Sequence, residues 1–435
     1  MIRICIDGYN LAMSKGTGIA TYGRSLLQTA TQMGFGTEIL FGPAAPRSRS
    51  SLVNEANVVG PTSPVQRRPV ERALRYIEAR TGGWGLKAWP TPISGEVLWP
   101  ESRGGQPPAK ALWVADSAYS RAARSFKKHN RILSVRFDAN FDRPAPDVMH
   151  WTVPLPLHAT GRPNIYTIHD LIPLTAPHTT IHDRDLFMRL HAHIARRADH
   201  IAVVSETTRQ DVIRLLGVPE DRVTNTYQTL SILPQHTAKT AEEVSRDIEE
   251  TYGLGWKDYY IHFGAIEPKK NLGRIVEAYI ASGSRRPLVI VGGRGWLQED
   301  ETALIAQVRR DQTAASERIR TYDFLSQSHL VSLIRGARAL VFPSLYEGFG
   351  LPVLEAMSLG TATLTSNRGA LREVAGDAAL LVKPEDVDSI RRGLQALDSD
   401  GSLVEFLEMK GRLQAKIFSP GAYGERLKTL YAIVT

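Results

Sequence analysis

Cysteine and long apolar runs are both scarce in this 435-residue chain. The single cysteine, Cys5, excludes an internal disulfide and any thiolate metal cluster, which fits a reducing compartment. No uncharged apolar run reaches the roughly 18 residues that a membrane-spanning helix needs. The opening MIRICIDGYN reads directly as a strand, without the apolar core of a signal peptide, so the expected location is cytoplasmic. His191 and His193 lie two apart and cannot share a helix face, so no metal pair is read there. The Asp-x-Asp patterns (Asp183/Asp185, Asp386/Asp388, Asp398/Asp400) are discounted as metal sites, because Asp386 and Asp388 suit an acidic helix start and the others lie in helix- or loop-like context.

At 435 residues the chain exceeds what one hydrophobic core usually serves, so two domains are expected. The net charge of +8 is one-sided. Residues 1–235 hold 28 Lys and Arg against 19 Asp and Glu, whereas residues 236–435 hold 25 against 26. The first half therefore suits an anionic partner: a membrane surface, a lipid pyrophosphate or a nucleic acid. For nucleic acid, the interleaving of basic and stacking aromatic residues is missing, and that partner is not expected.

The most informative stretch is LVFPSLYEGFGLPVLEA, residues 340–356. Leu340 to Phe342 read as a buried parallel strand. Pro343 and Ser344 end it, a turn with Gly348 and Gly350 follows, and Pro352 suits the first turn of a helix. Strand, glycine loop and helix leave backbone N–H groups aimed above the sheet, a site for an anion such as phosphate. Glu347 and Glu355 frame that site. A carboxylate repels phosphate but accepts hydrogen bonds from sugar hydroxyls, so the pattern reads as a nucleotide-sugar cradle.

Elsewhere, strands and helices alternate with glycines at strand ends in both halves, as in a pair of Rossmann-like units. The first strand leads to Gly16 and Gly18 before a helix. A strand over 164–168 ends at His169-Asp170, where open α/β sheets place ligands. Gly264 to Asn271 turn into a helix with Lys269 and Lys270 at its start. Cations are unfavourable there unless an anion is shared, which points Lys270 at a diphosphate. Residues 43–145 pattern loosely and read as a basic insertion of Pro-, Arg- and Ser-rich loops with a helical piece at 70–80. Within it, residues 116–137 taken as a helix put Arg121, Arg124, Lys127, Lys128 and Arg131 opposite Tyr119, Ala122, Ala123 and Phe126, either a solvated face or a membrane-facing one. Residues 132–137 read equally well as a strand. Residues 231–256 look like the interdomain connection, giving domains at 1–235 and 256–420, with a last helix at about 421–435.

The loop at 340–356 resembles the retaining family-four glycosyltransferases, which share a Glu, seven residues, Glu pattern. The fragments FGAIEPKKNL (263–272), YTIHDLIPL (166–174), AVVSETTRQDV (202–212) and GALREVAGDAALLVKPED (369–386) resemble the same family in the expected order. The resemblance implies a GT-B fold, α/β with two Rossmann-like domains facing a central cleft, whose last helix crosses back to the first domain. It implies His169 and Glu347 as catalytic residues beside the donor sugar. Donor binding falls to Gly18, Lys269, Lys270, Arg294, Leu325 (as base contact), Gly348, Phe349, Gly350, Leu351 and Glu355, the last on the ribose. One departure is Ala265, where many members carry an arginine. The implied partners are a nucleotide-sugar donor, GDP-mannose first, and a glycan or lipid-linked acceptor, with no cofactor and no metal. A place at the inner membrane face is left open. Another nucleotide-sugar enzyme of this fold, such as an epimerase, and a non-catalytic sugar-nucleotide or anion-binding protein stay open as alternatives.

Overall fold

The computed structural model describes residues 1–11, 18–45, 47–60, 69–100, 105–139, 143–181, 183–230, 232, 234–293, 295, 299–310 and 317–435. Two sheets, both packed with helices, make up the architecture. The first has ten strands, in spatial order Val223–Asn225, His200–Val203, Asn164–Ile168, Val148–Trp151, Arg3–Asp7, Gly36–Phe41, Ala111–Val114, Leu86–Thr91, Leu133–Phe137 and Leu157–Ala159. Leu86–Thr91 runs antiparallel to Ala111–Val114, and the other pairings are parallel. Arg3–Asp7 is buried from Ile4 onward, as a central parallel strand covered on both faces should be.

The stretch 43–145 is not the loop-rich insertion that its composition suggests. The helical piece expected at 70–80 is present as Pro69–Thr81, and the stretch also supplies three strands to this sheet, Leu86–Thr91, Ala111–Val114 and Leu133–Phe137, together with the helices Ser51–Val59 and Ala118–His129. These strands are short, and Leu86–Thr91 is shared end to end. Ala111–Val114 pairs with its Trp89–Thr91 part and Leu133–Phe137 with its Leu86–Ala88 part, so no single alternation runs through it. The helix read over 116–137 ends at His129, and Leu133–Phe137 is the strand that remained the alternative.

The second sheet runs Ile319–Tyr322, Leu288–Val291, Tyr260–Phe263, Ala339–Phe342, Ala362–Ser366 and Leu380–Val382, all parallel. Its first strand in sequence, Tyr260–Phe263, therefore lies beside its fourth, Ala339–Phe342, and the winding reverses between them. Loops leaving the carboxyl ends of two such strands diverge and open a crevice. The first sheet has the same reversal between Arg3–Asp7 and Val148–Trp151. Helix Ala241–Tyr252 leads into the second sheet. It is started by a Thr240/Glu243 capping box and stopped by Gly253 in the left-handed region. Helix Pro420–Val434 returns to the first half, where Tyr431 Oη lies 2.8 Å from His150 Nδ1 and its ring packs on Phe35.

Candidate functional site

The crevice of the second sheet is where the two most distinctive loops meet. After Phe263 the chain passes Gly264 (φ +137°), makes a short turn at Pro268–Lys270, and reaches Asn271 in the left-handed region. Asn271 is buried, and its side-chain amide donates to the carbonyls of Pro343 (3.0 Å) and Pro384 (2.6 Å). Leu345 N–H donates to the Lys269 carbonyl at 2.8 Å. The lysine turn and the loop after Phe342 are thus tied into one rigid lip.

On that lip Lys270 Nζ lies 2.6 Å from Glu347 Oε1, with the two side chains 12% and 10% exposed, and 4.9 Å from the centre of the Phe342 ring. Lys269 Nζ stands 3.4 Å from Glu267, itself buried. Burial alone would push the Glu347 carboxyl up, but Lys270 and then Lys269 outweigh it and hold the group below its ordinary range. Burial would lower Lys269, yet Glu347, Asp170 and Glu267 together raise it. Lys269 and Lys270 thus alternate with Glu267 and Glu347 in one largely buried cluster of opposite charges.

The glycine loop explains itself by contact. A Cβ at 348 would lie 2.2 Å from the carbonyl oxygen of His169, so only glycine lets the second domain close on the His169-Asp170 step of the first. Gly350, at φ +114°, starts helix Leu351–Ser358. The backbone N–H groups of Phe349, Gly350 and Leu351 have no partner within the described chain, so they are available to an anion. The Phe349 side chain is not. It is buried against Phe418 and Tyr227, which leaves the backbone as what this residue can present. Gly18 begins helix Gly18–Gln32 and faces Leu351 across the cleft, 3.6 Å from where a Cβ would stand.

His169 is held as a neutral imidazole. Its Nε2 lies 2.8 Å from the Thr152 carbonyl, an acceptor only, so Nε2 carries the proton and Nδ1 keeps the lone pair. Burial lowers its pKa, and the ring of Tyr22 meets it edge-on at 4.8 Å. The Thr152 N–H in turn donates to buried Asp7, whose carboxyl burial pushes up to about 6. Sequence reasoning missed Asp7 and Thr152 as supports, since strand Arg3–Asp7 and Thr152 meet only through the parallel pairing with Val148–Trp151. Asp170 was adjacent to a predicted residue and lines two cavities of the cleft. One, of about 300 Å³, also touches Thr207, Asp211, Tyr346 and Glu347. The other, of about 380 Å³, also touches Asn10, Ile19, Phe187 and Lys269.

Glu355 differs from Glu347. No described residue offers its carboxylate a hydrogen bond or ion pair, and burial pushes it up to about 7. Leu325 is half-buried beyond strand Ile319–Tyr322, next to Phe324, which is 87% exposed. Arg294 lies outside the described residues. Across the domains, Glu373 of helix Gly369–Ala375 accepts from the N–H groups of Glu206 (2.7 Å) and Thr207 (3.3 Å), at the N-terminus of helix Glu206–Leu216. This contact had no sequence signal.

Among known proteins, residues 247–414 match the family described as "Glycosyl transferases group 1", and residues 96–227 match "Glycosyltransferase Family 4". The chain is 34% identical over 262 residues to "O-antigen chain mannosyltransferase B" of Escherichia coli, covering 59% of this chain and 66% of that one. It is 28% identical over 326 residues to "Serotype-specific mannosyltransferase WbdA" of the same species, covering 70% and 39% respectively. The matches thus span less than two thirds of either relative. In three dimensions the chain is similar to Anabaena Alr3699/HepE in complex with UDP and glucose, at TM-score 0.64 and 12% identity, over 99% of this chain and 100% of that one.

Proposed function

We propose, since the chain belongs to the family-four glycosyltransferases with the GT-B fold, that it transfers a hexose from a nucleotide-sugar to a growing glycan or lipid-linked acceptor, with retention of configuration. Mannose from GDP-mannose is the first donor reading, supported by relatives whose names say mannosyltransferase. The observation that carries the reading is the Lys270–Glu347 pair, closed in a crevice at the winding reversal of the second sheet. A departing nucleoside diphosphate gains negative charge as its glycosidic bond breaks, and preformed cations and N–H groups stabilise it most at that moment. Lys270 and Lys269 supply the charge, and the N–H groups of Phe349, Gly350 and Leu351 supply the dipoles. With no donor bound, Glu347 satisfies Lys270. With one bound, the lysine turns to phosphate and the carboxylate to sugar hydroxyls.

The roles of the remaining residues follow. The bare Nδ1 of neutral His169 accepts a hydroxyl of the donor sugar. Glu355, unpartnered among the described residues, takes the ribose hydroxyls. The acceptor enters from the first domain, past Asn10 and His169, at the inner face of the membrane. Diphosphate neutralisation by lysine and backbone makes transfer independent of added metal in this reading. Among the described residues no group of three His, Cys, Asp or Glu is placed to hold an ion.

The test is transfer from a panel of GDP-, UDP- and dTDP-sugars to a mannose-terminated acceptor, with and without EDTA. Mannose transfer from GDP-mannose in EDTA is expected. Transfer from a UDP- or dTDP-sugar alone replaces the donor reading, and loss in EDTA restored by magnesium or manganese contradicts the leaving-group argument. A changed sugar-nucleotide with nothing transferred favours an epimerase.

A further inference from the structure

The opposite end of the second sheet carries another charged cavity. It holds about 380 Å³ and lies at the amino ends of strands Tyr260–Phe263, Ala339–Phe342 and Ala362–Ser366, away from the crevice at their carboxyl ends. Four cations line it: Lys257 ahead of the first of these strands, Arg335 and Arg338 ahead of the second, and Arg412 from helix Gly401–Ala415. Glu405 and Glu408 of that helix are the carboxylates on the same walls. Among the described residues one ion pair forms within the cavity, Lys257 Nζ to Glu408 Oε1 at 2.8 Å.

Cations near helix ends often do no more than satisfy free carbonyls. Arg338 does this, donating to the Leu397 carbonyl at 2.5 Å, and Arg335 donates to the Lys239 carbonyl at 2.8 Å. Arg412 has no hydrogen-bond or ion-pair partner among the described residues. Its guanidinium is nevertheless laid against the backbone at Gly360, where it fills the space that a side chain would take. Lys257 is fixed as well. Its backbone lies in the left-handed region at φ +57°, uncommon for a residue with a side chain, and its Nζ reaches the Gly360 carbonyl at 3.4 Å. Burial lowers its ammonium pKa, Glu408 pulls it back, and Arg412 and Arg335 push it down again. Like charges are thus held together with too few counter-charges, an arrangement that a shared anion relieves.

We propose that this cavity binds a small organic phosphate monoester. Four cations against two carboxylates leave an excess of two positive charges, which matches an ionised monoester. Arg335 and Arg412 offer guanidinium N–H groups in the planar fork that suits phosphate oxygens. Trp256, 36% exposed, and the apolar side chains of Leu359 and Val404 give the organic part of the ester a surface to lie on. A free phosphate ion shares the charge but gains nothing from the indole. The volume is in the range of small-molecule sites. Leu359 and Gly360 follow helix Leu351–Ser358, whose first residues face the donor crevice, so the length of that helix separates the two sites.

Calorimetry and tryptophan fluorescence of the full chain with ribose 5-phosphate, mannose 6-phosphate and inorganic phosphate test it. A monoester should bind more tightly than inorganic phosphate, with a fluorescence change that Trp256→Phe removes. Arg335→Gln/Arg412→Gln should weaken binding by ~100-fold, with the fold checked by melting temperature. Glu405→Gln, which takes a negative charge off the cavity wall, should tighten binding by ~2- to 5-fold. A purely structural role for these cations would give no such gain, so Glu405→Gln decides the matter even if the arginine pair proves necessary for folding. Equal affinity for inorganic phosphate and the monoesters would assign the cavity to free phosphate and overturn the ester reading. Absence of binding by all three, or binding that the arginine and glutamate variants leave unchanged, would overturn the site itself.

Discussion

Lys270 Nζ sits 2.6 Å from Glu347 Oε1, and the pair is nearly closed off from water at the carboxyl ends of the second sheet's strands. Removing one partner of such a pair strands a buried charge, which costs more than the pair contributes. Lys270→Ala should therefore lower unfolding free energy by ~3–5 kcal/mol. It should also cut turnover by ~100- to 1000-fold through loss of leaving-group stabilisation. Adding Glu347→Gln should restore most of the stability and none of the turnover. Denaturant titration and initial rates separate the two effects, and near-normal turnover in Lys270→Ala would pass the phosphate role to Lys269.

Gly348→Ala tests the domain closure. The added methyl would overlap the His169 carbonyl oxygen at 2.2 Å, a backbone atom that cannot swing aside, so the domains must part. Strain of this kind costs about 1–3 kcal/mol, and here it falls on the closed state. Turnover should drop at least tenfold while the second domain keeps its affinity for nucleoside diphosphate. Calorimetry with GDP checks the second half of that statement, and a fully active Gly348→Ala enzyme would show that this contact is not made during turnover.

The two glutamates should fail differently. Ribose contacts change little along the reaction, so Glu355→Gln should raise donor KM with modest change in kcat. Groups near the anomeric carbon strengthen as positive charge develops, so Glu347→Gln should lower kcat more than it raises KM, and His169→Ala should resemble it. Kinetically identical glutamate variants would remove the division of roles.

Glu355 adds a pH signature. Its carboxyl is pushed up to about 7 by burial, and ribose hydroxyls donate best to the ionised form. Donor binding therefore favours proton release. Affinity should be level above pH 7 and weaken as pH falls below it, by at most about tenfold per pH unit. Glu355→Gln should flatten the profile. A wild-type profile already flat between pH 5 and 8 would mean the group does not meet the ribose.

The readable part of this chain was the part whose chemistry lies in one segment. LVFPSLYEGFGLPVLEA folds as read: strand Ala339–Phe342, glycine loop, helix Leu351–Ser358. Ser205 caps and Gly217 ends helix Glu206–Leu216, because caps are local. The Lys269/Lys270 turn drew attention through a local misfit of charge, and the structure shows the counter-charge, Glu347, 77 residues away. What stayed hidden depends on pairing across the fold. Thr152 and Asp7 support His169 only because their strands lie side by side. Leu86–Thr91 shows no alternation, as two neighbours divide it. Helix Pro69–Thr81 buries Glu78 and leaves Val70, Leu74 and Ile77 exposed, which was invisible because periodicity gives the faces of a helix and not which one the protein buries.

The most direct test of the central claim is the anomeric configuration of the product. With an α-linked sugar nucleotide, the geometry argued for Lys270, Glu347 and His169 predicts an α-linked product, read by NMR from the anomeric proton and its one-bond carbon coupling during the first turnovers. A β-linked product would contradict the retaining mechanism.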